Sequence, residues 1–178
     1  MHEAIQTDTV HTGPVFSVEV MRFADAQGQS VRRDVVRHPG AVTIVPQLED
    51  GRLVMVRNYR VAVGESLLEF PAGKIERDEP HDQTAQRELV EETGYDAGEM
   101  RHLGMFYTSP GFADERMQVY AASQLTHVGQ RLEAGEMIEV EEYTVEQVDE
   151  MISQGRIIDG KTIAAYFLWI RFWIGERR

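Results

Sequence analysis

The chain has 178 residues, enough for one domain with a sizeable core and a small appendage. Its formal net charge of −12 and isoelectric point near 4.9 argue against nonspecific binding to nucleic acid or anionic membrane, since both need a basic footprint. It has no cysteine, which excludes disulfides, thiolate metal sites and a cysteine nucleophile.

The opening MHEAIQTDTV has neither the basic nor the apolar segment of a secretion signal and is expected not to be one. Residues 16–23 and 30–36 alternate apolar and polar side chains on either side of DAQGQ, which predicts a β-hairpin. Residues 41–45 and 52–56 predict a second strand pair across the turn signal EDG, and 67–70 a short strand running into Pro71, Ala72 and Gly73. Residues 80–93 predict a helix: Asp78, Glu79 and Asp82 load its start with acid, and Gly94 stands where a left-handed residue ends it. Strands follow at 100–107 and 118–122, flanking SPGFADER, and at 137–143. Two helices are expected last, Val145–Ser153 and 160–174. On the second, Ile163, Phe167, Ile170 and Ile174 form one apolar stripe and Tyr166, Trp169 and Trp173 another, one for the core and one for a partner subunit. The apolar run from Ile163 to Ile170 is far short of the roughly 18 residues of a membrane span. The elements together read as an α/β chain with a mixed sheet between helices, an α/β/α sandwich.

Residues 73–95, GKIERDEPHDQTAQRELVEETGY, fit G-x5-E-x7-R-E-U-x-E-E-x-G-U, where U is apolar or aromatic. The fixed positions are Gly73, Glu79, Arg87, Glu88, Glu91, Glu92 and Gly94. At about one residue in fifteen each, a chance match is on the order of 10^-8 per start point. Glu88, Glu91 and Glu92 fall at i, i+3 and i+4, so their carboxylates share one helix face and repel one another. Arg87 is one counter-charge for three anions, whereas a hard divalent cation balances them. The alternative is a solvated acidic face without function.

This pattern is the Nudix box, and the chain resembles Nudix hydrolases over about residues 14–174. It is similar in particular to the ADP-ribose pyrophosphatase subfamily, in Pro110 with SPGFADE at 109–115, in RHPGAV at 37–42, in VRNYR at 56–60 and in LLEFPAGKIE at 67–76. The resemblance implies the sandwich fold and Mg2+-dependent hydrolysis of ADP-ribose to AMP and ribose 5-phosphate, with Mn2+ possible. It implies a cation held by Glu88, Glu91, Glu92 and the Ala72 carbonyl, with Arg87 orienting the glutamates and Glu79 bracing the loop. Arg37 and Arg60 would meet phosphates or the terminal ribose, and Glu69 and Glu115 ribose hydroxyls. Phe16 or Phe23 would stack on adenine. The subfamily's acidic loop DEDEFIEV corresponds here to EAGEMIEV, with Ala134 in place of one acid, which leaves Glu136 as first candidate for general base and Glu133 as second. A homodimer with exchanged N-terminal hairpins is also implied, residues 1–38 forming the dimerising, adenosine-side unit and 39–178 the catalytic domain. Rival readings are GDP-mannose or UDP-glucose as substrate, or a ligand-sensing module without catalysis. A cytoplasmic location is the default expectation.

Overall fold

The computed structural model describes residues 6–132 and 135–174, with only the backbone of Trp173 and Ile174. Glu133 and Ala134 lie outside the described residues, as do the Trp173 and Ile174 side chains.

The N-terminal unit is a three-stranded antiparallel sheet, β1 (Gln6–Thr12), β2 (Ser17–Ala24) and β3 (Ser30–Arg37). The sequence predicted the β2–β3 hairpin. It missed β1, whose side chains are nearly all exposed and so carry no apolar alternation. The hairpin turn is fixed by Asp25, whose Oδ1 accepts from the backbone N–H of Gln27 and Gln29 at 2.9 and 2.8 Å. β3 docks on the 109–115 loop through Val36 N–H to the Phe112 carbonyl (2.8 Å) and Asp114 N–H to the Val36 carbonyl (3.1 Å).

The body follows as β4 (Ala41–Pro46), β5 (Leu53–Arg60), β6 (Glu65–Glu69), β7 (Ala72–Lys74), α1 (His81–Thr93), β8 (Tyr95–Tyr107), β9 (Arg116–His127), β10 (Ile138–Tyr143), α2 (Val145–Ser153) and α3 (Gly160–Leu168). The described residues close with π-helical turns at Trp169–Ile174. A mixed sheet runs β7-β4-β9-β8, with β4 and β9 parallel, and an antiparallel sheet runs β10-β5-β6. The expected pairing of β4 with β5 is therefore wrong: they lie in different sheets, and the isolated bridge of Gln47 with Leu53 falls just after β4 has ended. The reason lies in β4, where all six residues are buried, so it needs partners on both edges and takes β7 and β9.

The mixed sheet separates two cores. On one face Val42, Ile44, Tyr120 and Ala122 pack under α1 with Ala85 and Leu89. On the other, Val45, Val119 and Ala121 meet the second sheet, α2 and α3 through Met55, Phe70, Met151 and Trp169. The result is an α/β/α sandwich. Of the two stripes on the last helix, Tyr166 and Trp169 are buried, while Ile163, Phe167 and Ile170 face outward. Among the described residues no helix is long and apolar enough to cross a membrane.

Candidate active site

The site is built on α1 and the strand facing it. Pro80, which has no N–H to leave unsatisfied, precedes the first turn. Gly94 closes the helix at φ 75°, its N–H bonded to the Val90 carbonyl. Between them, Arg87 is the hub. Its Nε and Nη2 meet the two Glu79 oxygens at 3.0 Å each, and its Nη1 reaches Glu88 at 2.7 Å and Glu91 at 2.9 Å. Glu79 also accepts from Thr84 Oγ1 (2.9 Å) and the Glu76 N–H (3.2 Å), which ties the loop before α1 to the helix. The Arg87 hydrogen bonds hold the Glu79 carboxyl down to about 2.

Glu88 and Glu92 are different. Glu92 is buried, and one of its oxygens accepts from the Ala72 N–H at 2.9 Å. Glu88 lies so close over Gly73 that a Cβ there would stand 1.9 Å from its carboxyl group, so any larger residue would displace that carboxylate. Burial first, and neighbouring acid second, push Glu92 up to about 8. Burial likewise raises Glu88 to about 7, against the pull of Arg87. Glu136, exposed on the loop before β10, adds its field to both. These are carboxylates whose negative charge one guanidinium does not balance.

As the side chains stand, no group of three acids or histidines among the described residues is arranged to hold a metal ion. Glu88 and Glu91 are turned to Arg87, and Glu92 to the Ala72 N–H, which is the Ala72 group in contact with it rather than the carbonyl. The donor set nonetheless fits a hard divalent cation: oxygen ligands, desolvated, short of positive charge, beside a glycine that leaves the approach open.

Ala72 and Gly73 line a cavity of about 270 Å³ together with His38, Arg60, Glu115 and Lys161. It shares Glu115, Met117 and Lys161 with a neighbouring cavity of about 460 Å³ that reaches Thr108 and Asp159. Arg60 grips Glu69 with two bonds, 2.8 and 2.5 Å, and Lys161 pairs with Glu69 and, at 2.8 Å, with Asp159. Glu69 is thus buried between two cations. Glu115 accepts from Thr108 Oγ1 at 2.6 Å, and Pro110 sits exposed in the turn before it. Arg37 does not line either cavity; it bonds Glu19 (2.7 Å) and Asp114 (3.0 Å), tying the N-terminal sheet to the loop. Phe16 is exposed beside His11, and Phe23 lies under the Arg33 guanidinium. Sequence reading missed Lys161 and His38 in the cleft. The only sequence signal for Lys161 was DGKT, which reads as a helix start and says nothing of a partner 92 positions away.

A three-layer sandwich carrying a glutamate-bearing helix over a glycine strand defines a class of fold; comparison with known proteins gives the family. Residues 37–166 match the NUDIX domain profile, and the chain belongs to that family of pyrophosphohydrolases. It is 38% identical to the methanol dehydrogenase activator of Bacillus methanolicus and 35% identical to the ADP-ribose pyrophosphatase of Bacillus subtilis (strain 168), in each case over 92% of this chain and 89% of the relative. It is 37% identical to the GDP-mannose pyrophosphatase of Citrobacter koseri over 73% of this chain and 76% of that protein. The fold matches the crystal structure of an ADP compounds hydrolase with a TM-score of 0.84 at 24% identity, covering 99% of this chain and 95% of the other.

Proposed function

We propose that this protein hydrolyses ADP-ribose to AMP and ribose 5-phosphate with Mg2+, for which Mn2+ can substitute. One observation carries the reading: Glu92, buried, and Glu88, half-buried, stand against the Ala72 and Gly73 backbone that lines a cleft bearing Arg60 and Lys161. Glu88, Glu91, Glu92 and the Ala72 carbonyl would hold the cation. When bound, it supplies positive charge for the diphosphate and acidifies water. Arg87 keeps the glutamates aligned, and Arg60 and Arg37 serve the phosphates or terminal ribose. Glu69, Pro110 and Glu115 shape the ribose contacts. Glu136 takes the proton of the attacking water. The water oxygen bonds to phosphorus as the bridging phosphoanhydride bond breaks, giving two phosphate monoesters.

Residues 1–38 form the dimerising and adenosine-side unit, and 39–178 the catalytic domain. The assembly is a homodimer with exchanged N-terminal hairpins, supported by the outward stripe of Ile163, Phe167 and Ile170. The protein works in the cytoplasm, in keeping with a cysteine-free chain.

A second reading, another nucleoside diphosphate sugar such as GDP-mannose or UDP-glucose, is favoured by the likeness to a GDP-mannose pyrophosphatase. Chromatography of products after incubation with each of the three, with Mg2+ and with chelator, separates them. Metal-dependent AMP from ADP-ribose in clear preference is expected. Preference for another sugar nucleotide replaces the substrate, and no cleavage of any overturns the hydrolytic reading on this panel. A parallel assay of methanol oxidation by a methanol dehydrogenase, with and without the protein, tests the likeness to the dehydrogenase activator.

A further inference from the structure

The segment joining β6 to β7 presents the backbone of the site, and three elements hold it. Pro71 has no N–H; its carbonyl accepts from the Ile44 N–H at 2.9 Å and from Thr43 Oγ1 at 3.4 Å, both on β4. The Ala72 N–H donates to Glu92 on α1. The Phe70 N–H, in a fully buried residue, donates to Thr162 Oγ1 on α3 at 3.0 Å. Every backbone N–H of residues 70–72 is thereby accounted for, as buried amides require.

Thr162 is itself fully buried, and its hydroxyl works in both directions. It accepts from Phe70 and donates to Asp159 Oδ2 at 2.6 Å. The same Asp159 oxygen caps α3 by accepting from the Thr162 N–H at 3.0 Å. Capping is therefore complete without the Thr162 hydroxyl. The first turn of α3 also reaches Glu69, the residue before Phe70, through Lys161. One helix turn thus grips two consecutive residues of the strand that leads into the site. A hydroxyl that accepts from an amide while donating to a carboxylate sits in a polarised chain, in which each bond strengthens the other.

We propose that Thr162 is a positioning residue for this hydrolase: its hydroxyl relays the Asp159 cap to the Phe70 amide and so fixes Ala72 and Gly73 against Glu92 and Glu88. The proposal rests on the hydrolytic reading given above. Without the hydroxyl, the buried Phe70 N–H has no acceptor, and rotation of the segment to find one carries the Ala72 amide away from Glu92. Sites of this kind lose function when their support shifts by a fraction of an ångström.

The test compares the full-length protein with Thr162→Val, Thr162→Ser and Asp159→Asn. Three quantities are read: Mn2+ affinity without substrate, from the electron paramagnetic resonance signal of free Mn2+; kcat and KM on the sugar nucleotide that the unaltered protein cleaves; and Tm. Thr162→Val is expected to weaken Mn2+ binding and lower kcat by about tenfold each, with KM changed less than about threefold. Thr162→Ser, which keeps the hydroxyl, stays within about threefold of the unaltered protein in both. A valine variant that melts earlier yet binds Mn2+ and turns over normally overturns the proposal, because the hydroxyl then serves stability alone. If the valine variant does not fold, Asp159→Asn decides. Asparagine caps as well as aspartate but weakens the relay, so a loss well beyond about threefold in Mn2+ affinity and kcat supports the proposal, and values within about threefold of the unaltered protein overturn it. Absence of cleavage by the unaltered protein, with Mn2+ binding intact, strikes the hydrolytic reading instead, and the Mn2+ series still judges Thr162.

Discussion

At the scale of single residues, the acids of the site set the behaviour. Glu92 titrates near 8 in the folded chain against 4.5 when unfolded, and Glu88 is raised to about 7. A carboxyl raised on folding holds a proton that the unfolded chain has released, so its contribution is most favourable below about 4.5 and is lost as pH climbs toward 8. Glu79 runs the other way: held near 2, it stabilises above its ordinary range and loses that only in strong acid. In chelator, Tm is therefore expected to fall between pH 5.5 and 8.5 by at least about 3 °C, and added Mg2+ to restore it. Scanning calorimetry at both pH values checks this, and a flat profile in chelator would count against a charge burden at the site. Glu92→Gln separates the burden from the function. The amide can still accept from Ala72 but carries no charge, so in chelator at pH 8.5 the variant melts above the unaltered protein, while with Mg2+ its turnover falls about a hundredfold or more. A solvated acidic face predicts no change in either. The spacing of Glu88, Glu91 and Glu92 was legible in the sequence because a helix maps i, i+3 and i+4 to one face. The closeness of Glu88 to Gly73 was not, since it arises from a side chain on another element, and neither were the contacts of Lys161 and Thr162, which meet Glu69 and Phe70 only after the chain has folded back.

Among the elements, α1 was readable nearly to the residue, because its start and stop are local chemistry. β7 was not read, having three residues and no alternation, and the partner of β4 was misjudged because pairing depends on what buries a strand rather than on the next turn. The joint after α1 shows how a local signal carries a tertiary duty. Gly94 has φ 75°, and its carbonyl accepts from the N–H groups of Val128 and Gly129, while a Cβ on it would meet the Gln130 nitrogen at 2.6 Å. Gln130 in turn donates to the Glu92 carbonyl at 2.7 Å, and the chain runs on to Glu136. Gly94→Ala is expected to cost about 2 kcal/mol, or about 4–8 °C in Tm, and to lower kcat because the loop carrying Glu136 must move. Gly51→Ala is the control: φ is 90° there, but nothing lies within 4 Å of the added carbon, so Tm falls less and kcat stays unchanged. Equal losses of kcat in the two variants would show that the joint does not position the loop.

For the whole molecule, the last helix poses the question of what covers its outer side. The two apolar stripes were legible from helical periodicity, but which one faced inward was decided by packing: Tyr166 and Trp169 fill the core, leaving Phe167 67% exposed between Ile163 and Ile170. Three apolar side chains exposed along one helix face are surface that association would bury. A second copy is the occupant we propose, and the charge of the chain makes that claim sharp. Each copy carries −12, so long-range electrostatics oppose association, and short-range contact must outweigh that repulsion. Sedimentation velocity at micromolar concentration should therefore show a dimer that tightens as salt screens the repulsion, the reverse of an interface held by ion pairs. Phe167→Glu adds a charge at the centre of the stripe, where a hot-spot loss of about 2 kcal/mol weakens the dimer about thirtyfold. If the N-terminal units are exchanged as proposed, substrate affinity drops with the dimer, because each adenosine side is completed by the other chain. A Phe167→Glu monomer with unchanged KM would place the whole substrate site within one subunit and dismiss the exchange, while an unaltered protein that is monomeric at every salt concentration would dismiss the dimer itself.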